Sequence, residues 1–476
     1  MPPMGDTTIH SKPLSVAVVG GGAAGIAAAH YLRRGGCRVE VIEAGARLGG
    51  RMASARLGGR SITLGGKNIG GRYELFREFV RTMGNHPFEK FGLNTSRIRD
   101  GRIVTFDDER RWPALVELLR ICTLGDVRKA AAMAAAIRYD RRNAFLGGPY
   151  FTALAQRHGE RPIAGYFSRT FCDEVVRPMS VRMNGAEPDE IALGNFGTNL
   201  AMIFDSYEQL RHGLEPLFES FAQSVPVRLT TTAESLIVRG RRVVGVRVRS
   251  ADGRGEDLEF DRVVLALPAC LAANLVRPHA RALAELLGLV RYFPVGVVVA
   301  AYARPIFDKT ARALVFPDDA PLSNAGAYGP DERHIVRYTF SGAAARAPLA
   351  SAPNMEHLLD LGEYALSRYV SVKRDERISF VGKTMRIGLC AYARDHSTFI
   401  AALAAELRQL PNLEMTGDYL QGASIEGCFR ASFASAVRIL GANELAFDAP
   451  AARSKWMRAI PPILTTAKRR TCARLD

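Results

Sequence analysis

The amino-acid sequence predicts an α/β fold in which a parallel-sheet domain is interleaved with a second, mixed α+β domain. Three observations predict it. A β-branched run, Ser15-Val-Ala-Val-Val19, leads directly into Gly20-Gly21-Gly22-Ala23-Ala24-Gly25 and a helical pattern from Ile26 to Arg34. A second short strand, Arg38-Val-Glu-Val-Ile42, ends on Glu43, eighteen residues after Gly25. Far down the chain, Leu413-Glu-Met415 is followed by a Gly417-Asp418 turn and a helix start near Ser424-Ile425.

Each residue of the first turn has a physical task. Gly20 permits the sharp bend, Gly22 lets backbone approach a pyrophosphate, and Gly25 lets helix pack close to strand. The helix N-terminus, through Ala23 and Ala24, supplies oriented N–H donors for an anion. Glu43 stands where an acid accepts hydrogen bonds from both ribose hydroxyls of an adenosine, and it would repel the 2′-phosphate of NADP.

Between the two ends, Val227 to Val248 alternates around a Gly240-Arg241-Arg242 turn, and Asp261 to Pro268 reads as a further strand. The first intervening stretch has helical runs, Pro113 to Cys122 and Val127 to Tyr139. The second is richer in β-like runs, Val295 to Tyr302 and His334 to Phe340. The expected organisation is a discontinuous domain at 14–90, 215–285 and 385–440, a second domain from 91–214 and 286–384, and a basic tail at 441–476.

Composition bounds the function classes. A chain of 476 residues, 47% apolar and 24% charged, is too rich in core-forming residues for a disordered or collagen-like protein. The net charge of +16 comes from scattered Arg, with no basic module of nucleic-acid-binding type, so nucleic acid is not an expected partner. Seven scattered Cys without a CxxC pair predict a reduced interior and no metal site. No apolar stretch precedes the first strand and no run approaches a membrane span of about 18 residues, so a cytoplasmic location is expected. The tail from Arg453 to Arg474 mixes basic residues with Trp456, Met457, Ile460 and Ile463, making it a candidate for peripheral contact with an anionic membrane.

The string Glu43-Ala44-Gly45-Ala46-Arg47-Leu48-Gly49-Gly50-Arg51 resembles the signature of the FAD-dependent superfamily of flavin amine oxidases, protoporphyrinogen oxidases and carotenoid desaturases. The resemblance implies a Rossmann-like FAD-binding domain of glutathione-reductase type and non-covalently bound FAD. It implies cofactor contacts from Ala44, from Arg51 and from a second loop, Gly65-Gly66-Lys67, with Thr63 standing where the family often has an acid. It further implies that Ala233 offers its backbone to adenine and that Asp418 binds the ribityl or pyrophosphate region. Gly417, Ser424 and Ile425 would complete the far contact, where a helix N-terminus stabilises charge on reduced flavin. Cys428 is expected to pack rather than to link covalently.

The flavin would carry the redox chemistry, so no Ser/His/Asp constellation is required. Many amine oxidases of the superfamily place a Lys near the flavin and an aromatic residue before the last helix. This chain has Tyr292-Phe293-Pro294-Val295 and Ser424 instead, which looks more like protoporphyrinogen oxidases and desaturases. The expected reaction is dehydrogenation of a small organic substrate, at a C–C or C–N bond of a ring or conjugated skeleton, by hydride transfer to flavin. Oxygen or another acceptor would reoxidise the flavin. Amine oxidation and redox-neutral double-bond isomerisation are the alternatives. Lys67 is the first catalytic candidate, as a cation near flavin or a substrate carboxylate; Tyr392 and His396 are candidate substrate-facing groups. Arg182 is a candidate anchor for an acidic substrate group.

Overall fold

A computed structural model describes residues 12–441 apart from 92–93, 100–101, 108–115, 117–121, 160 and 352–353. The expected helix at 113–122 falls almost wholly outside the described residues, as do Met1 to Ser11 and the basic tail from 442.

The buried strand Ser15–Val19 is the middle of a five-stranded parallel sheet. Arg38–Ile42 and Val227–Arg228 lie on one side of it, Arg262–Leu265 and Leu413–Met415 on the other. A parallel sheet is covered on both faces and needs near-continuous apolar strands, which Val16 to Val19 and Val263 to Leu265 supply. Chain order reverses at Ser15–Val19, so a crevice opens beyond the carboxyl ends of the strands.

The helix Ala23–Arg34 packs against the last helix, Ile425–Leu440, through small residues that allow close approach. Ser432 Oγ donates to the Ala24 carbonyl at 2.7 Å, and the rings of Tyr31 and Phe433 meet edge-on at 5.3 Å. Sequence-distant ends of the chain thereby build one core. The alternating stretch forms the antiparallel pair Thr231–Arg239 and Arg242–Ser250, extended by Gly255–Glu259.

A seven-stranded sheet stands beside this unit. Its order is Arg377–Tyr392, Arg291–Tyr302, Ile335–Phe340, Leu322–Ala327, Ala313–Val315, Asn94–Arg99, Arg102–Asp107. The helix Leu124–Tyr139 starts on a Thr123 capping box with Asp126. The strand Arg377–Tyr392 runs straight through the boundary expected at 384/385. Pro294 explains an irregularity within it. Lacking an N–H, it interrupts the ladder, and pairing slips from Phe293–Leu389 to Val295–Met385. Residues 386–388 form a bulge opposite Pro294, Ile387 and Gly388 lining a cavity, and the Gly388 carbonyl accepts from Arg51 Nη1 at 3.2 Å.

Candidate cofactor and active site

One cavity of about 760 Å³ runs from the glycine turn to the face of the seven-stranded sheet. Gly20, Gly22, Ala23, Ala24, Glu43, Ala44, Arg51, Gly65, Gly66, Ala233, Gly417, Asp418 and Ile425 all line it. Residues drawn from three stretches of chain thus converge on one space.

At the outer end, Gly20 has a φ of 106°, a conformation that favours glycine. No side chain caps the helix Ala23–Arg34, so its first turn offers backbone donors to the cavity. Among the described residues a Cβ at Gly22 would meet nothing within 4 Å, which leaves room for a ligand to approach the backbone. Glu43 closes the turn, its two oxygens accepting from the Gly21 and Gly45 amides at 2.6 Å each. The wall at Ala233 lies beside a register shift between Ala233 and Ser235.

In the middle, Asp418 is buried and doubly held. Its Oδ2 accepts from Arg51 Nη1 at 2.6 Å and its Oδ1 from the Tyr292 hydroxyl at 2.9 Å. The Tyr292 oxygen in turn accepts from the Ala269 amide at 3.1 Å. At Gly65 a Cβ would stand 1.5 Å from the Arg51 carbonyl, so the two glycine-bearing loops can cross only with glycine there.

Gly25 does the packing its place in the turn predicts, while Ser424, an expected contact, is corrected as structural. Gly25 does not line the cavity; its missing Cβ makes room for the Gly20 carbonyl, 1.7 Å from where that atom would be. Ser424 caps the last helix, its Oγ accepting from the Gly427 amide at 2.9 Å, and leaves the wall to Ile425.

The three catalytic candidates do not line the cavity either. Lys67 is buried, neither facing the cavity nor solvent. Its Nζ donates to Gln209 Oε1 at 2.9 Å and the Tyr328 carbonyl at 2.6 Å, and sits 3.7 Å from the Phe91 ring centroid. Burial, and then the nearby Arg337 charge, hold its pKa well below the usual lysine value. The Tyr392 hydroxyl accepts from the Ala423 amide at 2.8 Å, so it positions a wall residue. His396 Nε2 meets the Leu420 carbonyl at 2.9 Å, and burial lowers its pKa to about 4, which keeps it neutral near pH 7 and unsuited to shuttle protons there. Lys67→Met should leave FAD content and the rate of flavin reduction within about twofold of the parent. It should cost about 1–3 kcal/mol of stability by orphaning the Gln209 and Tyr328 acceptors. Rapid-mixing absorbance and denaturant unfolding check both; a slowed reduction would return Lys67 to the reaction.

The inner end held residues that the motif pattern did not mark. Arg337, Thr339, Lys383, Met385 and Met183 border it together with Val295, Val297 and Arg182. The signal was present as alternation: Arg337 and Thr339 interrupt the apolar run of Ile335–Phe340 at positions two apart.

A parallel sheet with its crevice at the switch point, a glycine turn on a helix N-terminus and an acid after the second strand define a dinucleotide-binding oxidoreductase fold. The family model described as flavin containing amine oxidoreductase matches residues 23–440, and the chain belongs to that family, with FAD as its cofactor. The cradle fits that group, with room over Gly22, uncapped helix donors and a ribose-side acid.

Among curated relatives, L-amino acid oxidase Cdc18 of Crotalus durissus cumanensis is 36% identical over 87 residues, 18% of this chain and 18% of that protein. L-amino acid oxidase bordonein-L of Crotalus durissus terrificus is 36% identical over the same length, 18% of this chain and 17% of that one. The matched stretch therefore spans under a fifth of the relatives' length. Among solved structures, one titled as a protoporphyrinogen oxidase from Exiguobacterium sp. 255-15 superposes with a TM-score of 0.69 at 17% identity, covering 90% of this chain and 99% of that chain. Cyclohexylamine oxidase from Brevibacterium oxydans IH-35A gives 0.68 at 17% identity, over 90% and 99%. A fatty acid isomerase from P. acnes gives 0.65 at 13%, over 90% and 99%. These likenesses establish the fold. Among the described residues no helix is long and apolar enough to cross a membrane.

Proposed function

We propose that the protein is an FAD-dependent oxidoreductase that dehydrogenates a small, acidic organic substrate at a C–C or C–N bond. The observation that carries this reading is the continuity of the cavity from the nucleotide cradle to an inner end lined by apolar and cationic side chains. Bound there, FAD would supply a two-electron acceptor that oxygen or another oxidant restores. The chain's own residues bind and orient. Glu43 and the first helical turn hold the nucleotide end; Arg51, Asp418 and Tyr292 form a linked set at the middle of the cavity. Cys428 borders the cavity with its thiol pushed up to about 12, chiefly by burial, which supports a non-covalent hold.

Anaerobic mixing of the FAD-supplemented protein with a panel of small organic acids and amines should bleach the visible flavin bands with at least one of them. Air should restore the colour. Absence of flavin bands, or bands that no compound bleaches, would count against the proposal.

A further inference from the structure

The inner end of the cavity carries a charge pattern with a readable register. In the seven-stranded sheet Val297 lies opposite Lys383 on one neighbour and Thr339 on the other, Val295 opposite Met385, and Val299 opposite Arg337. Alternate residues of a strand share a face, so one face of three adjacent strands presents a valine row flanked by Lys383 and Met385 on one edge and by Arg337 and Thr339 on the other. Arg182 reaches the same space from the helix Arg177–Asn184.

Among the described residues these cations stand apart from acids. Arg337 donates to the Thr63 and Gly65 carbonyls at 2.8 and 3.1 Å, and Arg182 Nε to the Pro178 carbonyl at 2.7 Å. Among the described residues neither guanidinium, nor Lys383, has a carboxylate within ion-pair distance. Among the described residues the carboxylates that border the cavity are Glu43, Glu234 and Asp418, and each is already taken: by the Gly21 and Gly45 amides, by Arg249, and by Arg51 with Tyr292. Among the described residues the inner wall carries no free carboxylate to pair with an ammonium group. Burial pushes the pKa of both Arg337 and Arg182 down to about 10, with Arg97 adding repulsion at Arg182. A partly desolvated guanidinium without an acid gains strongly from a carboxylate through charge-assisted hydrogen bonds.

We infer that this inner end is a subsite for an amphipathic carboxylate, Arg337 and Arg182 receiving the acid head and Val295, Val297 and Met385 packing the apolar body, and that it turns away protonated amines. The inference rests on the proposed redox function only in taking this end as the substrate's place. An ammonium group here would face like charges in a low-dielectric pocket.

Calorimetric titration of the full-length, FAD-supplemented protein near pH 7 with 4-phenylbutyrate and with 4-phenylbutylamine tests it. The acid should bind at least about tenfold more tightly than the amine, and more weakly as salt is raised. Arg182→Met and Arg337→Met should each weaken the acid by about tenfold, and Arg182→Lys should restore part of the loss. Arg337 also braces Gly65, whereas Arg182 is bonded, among the described residues, to the Pro178 carbonyl within its own helix, so Arg182→Met keeps the test readable if the other variant folds poorly. Amine binding as tight as the acid's, no binding of the acid, or an unchanged acid affinity in Arg182→Met would overturn the inference. Acid binding that persists in a protein without flavin bands would sink the redox proposal and leave the subsite standing.

Discussion

Asp418→Ala is expected to purify nearly free of FAD and to unfold more readily than the parent. The Asp418 side chain is 3% exposed and joins Arg51 to Tyr292, so its loss takes the hydroxyl's acceptor and leaves Arg51 the Gly388 carbonyl in place of a charged partner. Removing one partner of a buried pair costs about 3 kcal/mol, and here Arg51 is partly open to the cavity, which holds the stability cost near or below that figure. The cofactor pays more heavily, because Arg51 is then free to move off the wall that the cofactor must follow. Asp418→Asn keeps an acceptor for Tyr292 but not the charge, and should fall between the two. The ratio of flavin to protein absorbance after gel filtration and a thermal melt read both effects; full FAD content in Asp418→Ala would remove this residue from the cofactor machinery.

Gly25→Val should have the second large effect. A Cβ at residue 25 would stand 1.7 Å from the Gly20 carbonyl, a backbone atom that cannot rotate aside. Helix and turn must then separate, an overpacking cost of about 3 kcal/mol, and the donors of the first turn leave their alignment. Loss of FAD and a lower unfolding midpoint are expected together. Gly22→Ala separates the two causes. Nothing lies within 4 Å of its added methyl and its φ is −80°, so stability should stay within about 0.5 kcal/mol while FAD retention falls, because the methyl occupies space the pyrophosphate needs. Equal FAD content in Gly22→Ala and parent would contradict that placement.

Much of the cofactor end was legible because it is written in short-range rules. Gly20 needs a positive φ, Gly25 a missing Cβ, and Glu43 a fixed spacing along one strand-turn-helix-strand unit; these constraints act within about thirty residues and leave a mark in the letters. The inner end of the cavity was not written that way. Lys67 stood beside the Gly65-Gly66 pair and looked like a cation for the flavin, yet Gln209 and the Tyr328 carbonyl, over a hundred residues away in the chain, draw its Nζ elsewhere. Neighbourhood alone singles out Tyr392 and His396, and in the fold each holds backbone in place. Ser424 met its demand locally, as a helix cap.

The amino-acid sequence by itself determined the α/β class, the parallel strand opening onto a glycine turn, and the return of the far segment with Asp418, because backbone geometry and apolar periodicity are local and leave residue types few alternatives. The sequence marks Arg182 as a candidate, but only the tertiary structure brings Arg337 and Lys383 to the same end of the cavity. Arg337 and Lys383 share a face through the register of strands distant in sequence, and Arg182 joins them from a separate helix. A side chain's partners in a pocket are set by register and packing across the whole chain, and no spacing along the sequence encodes them.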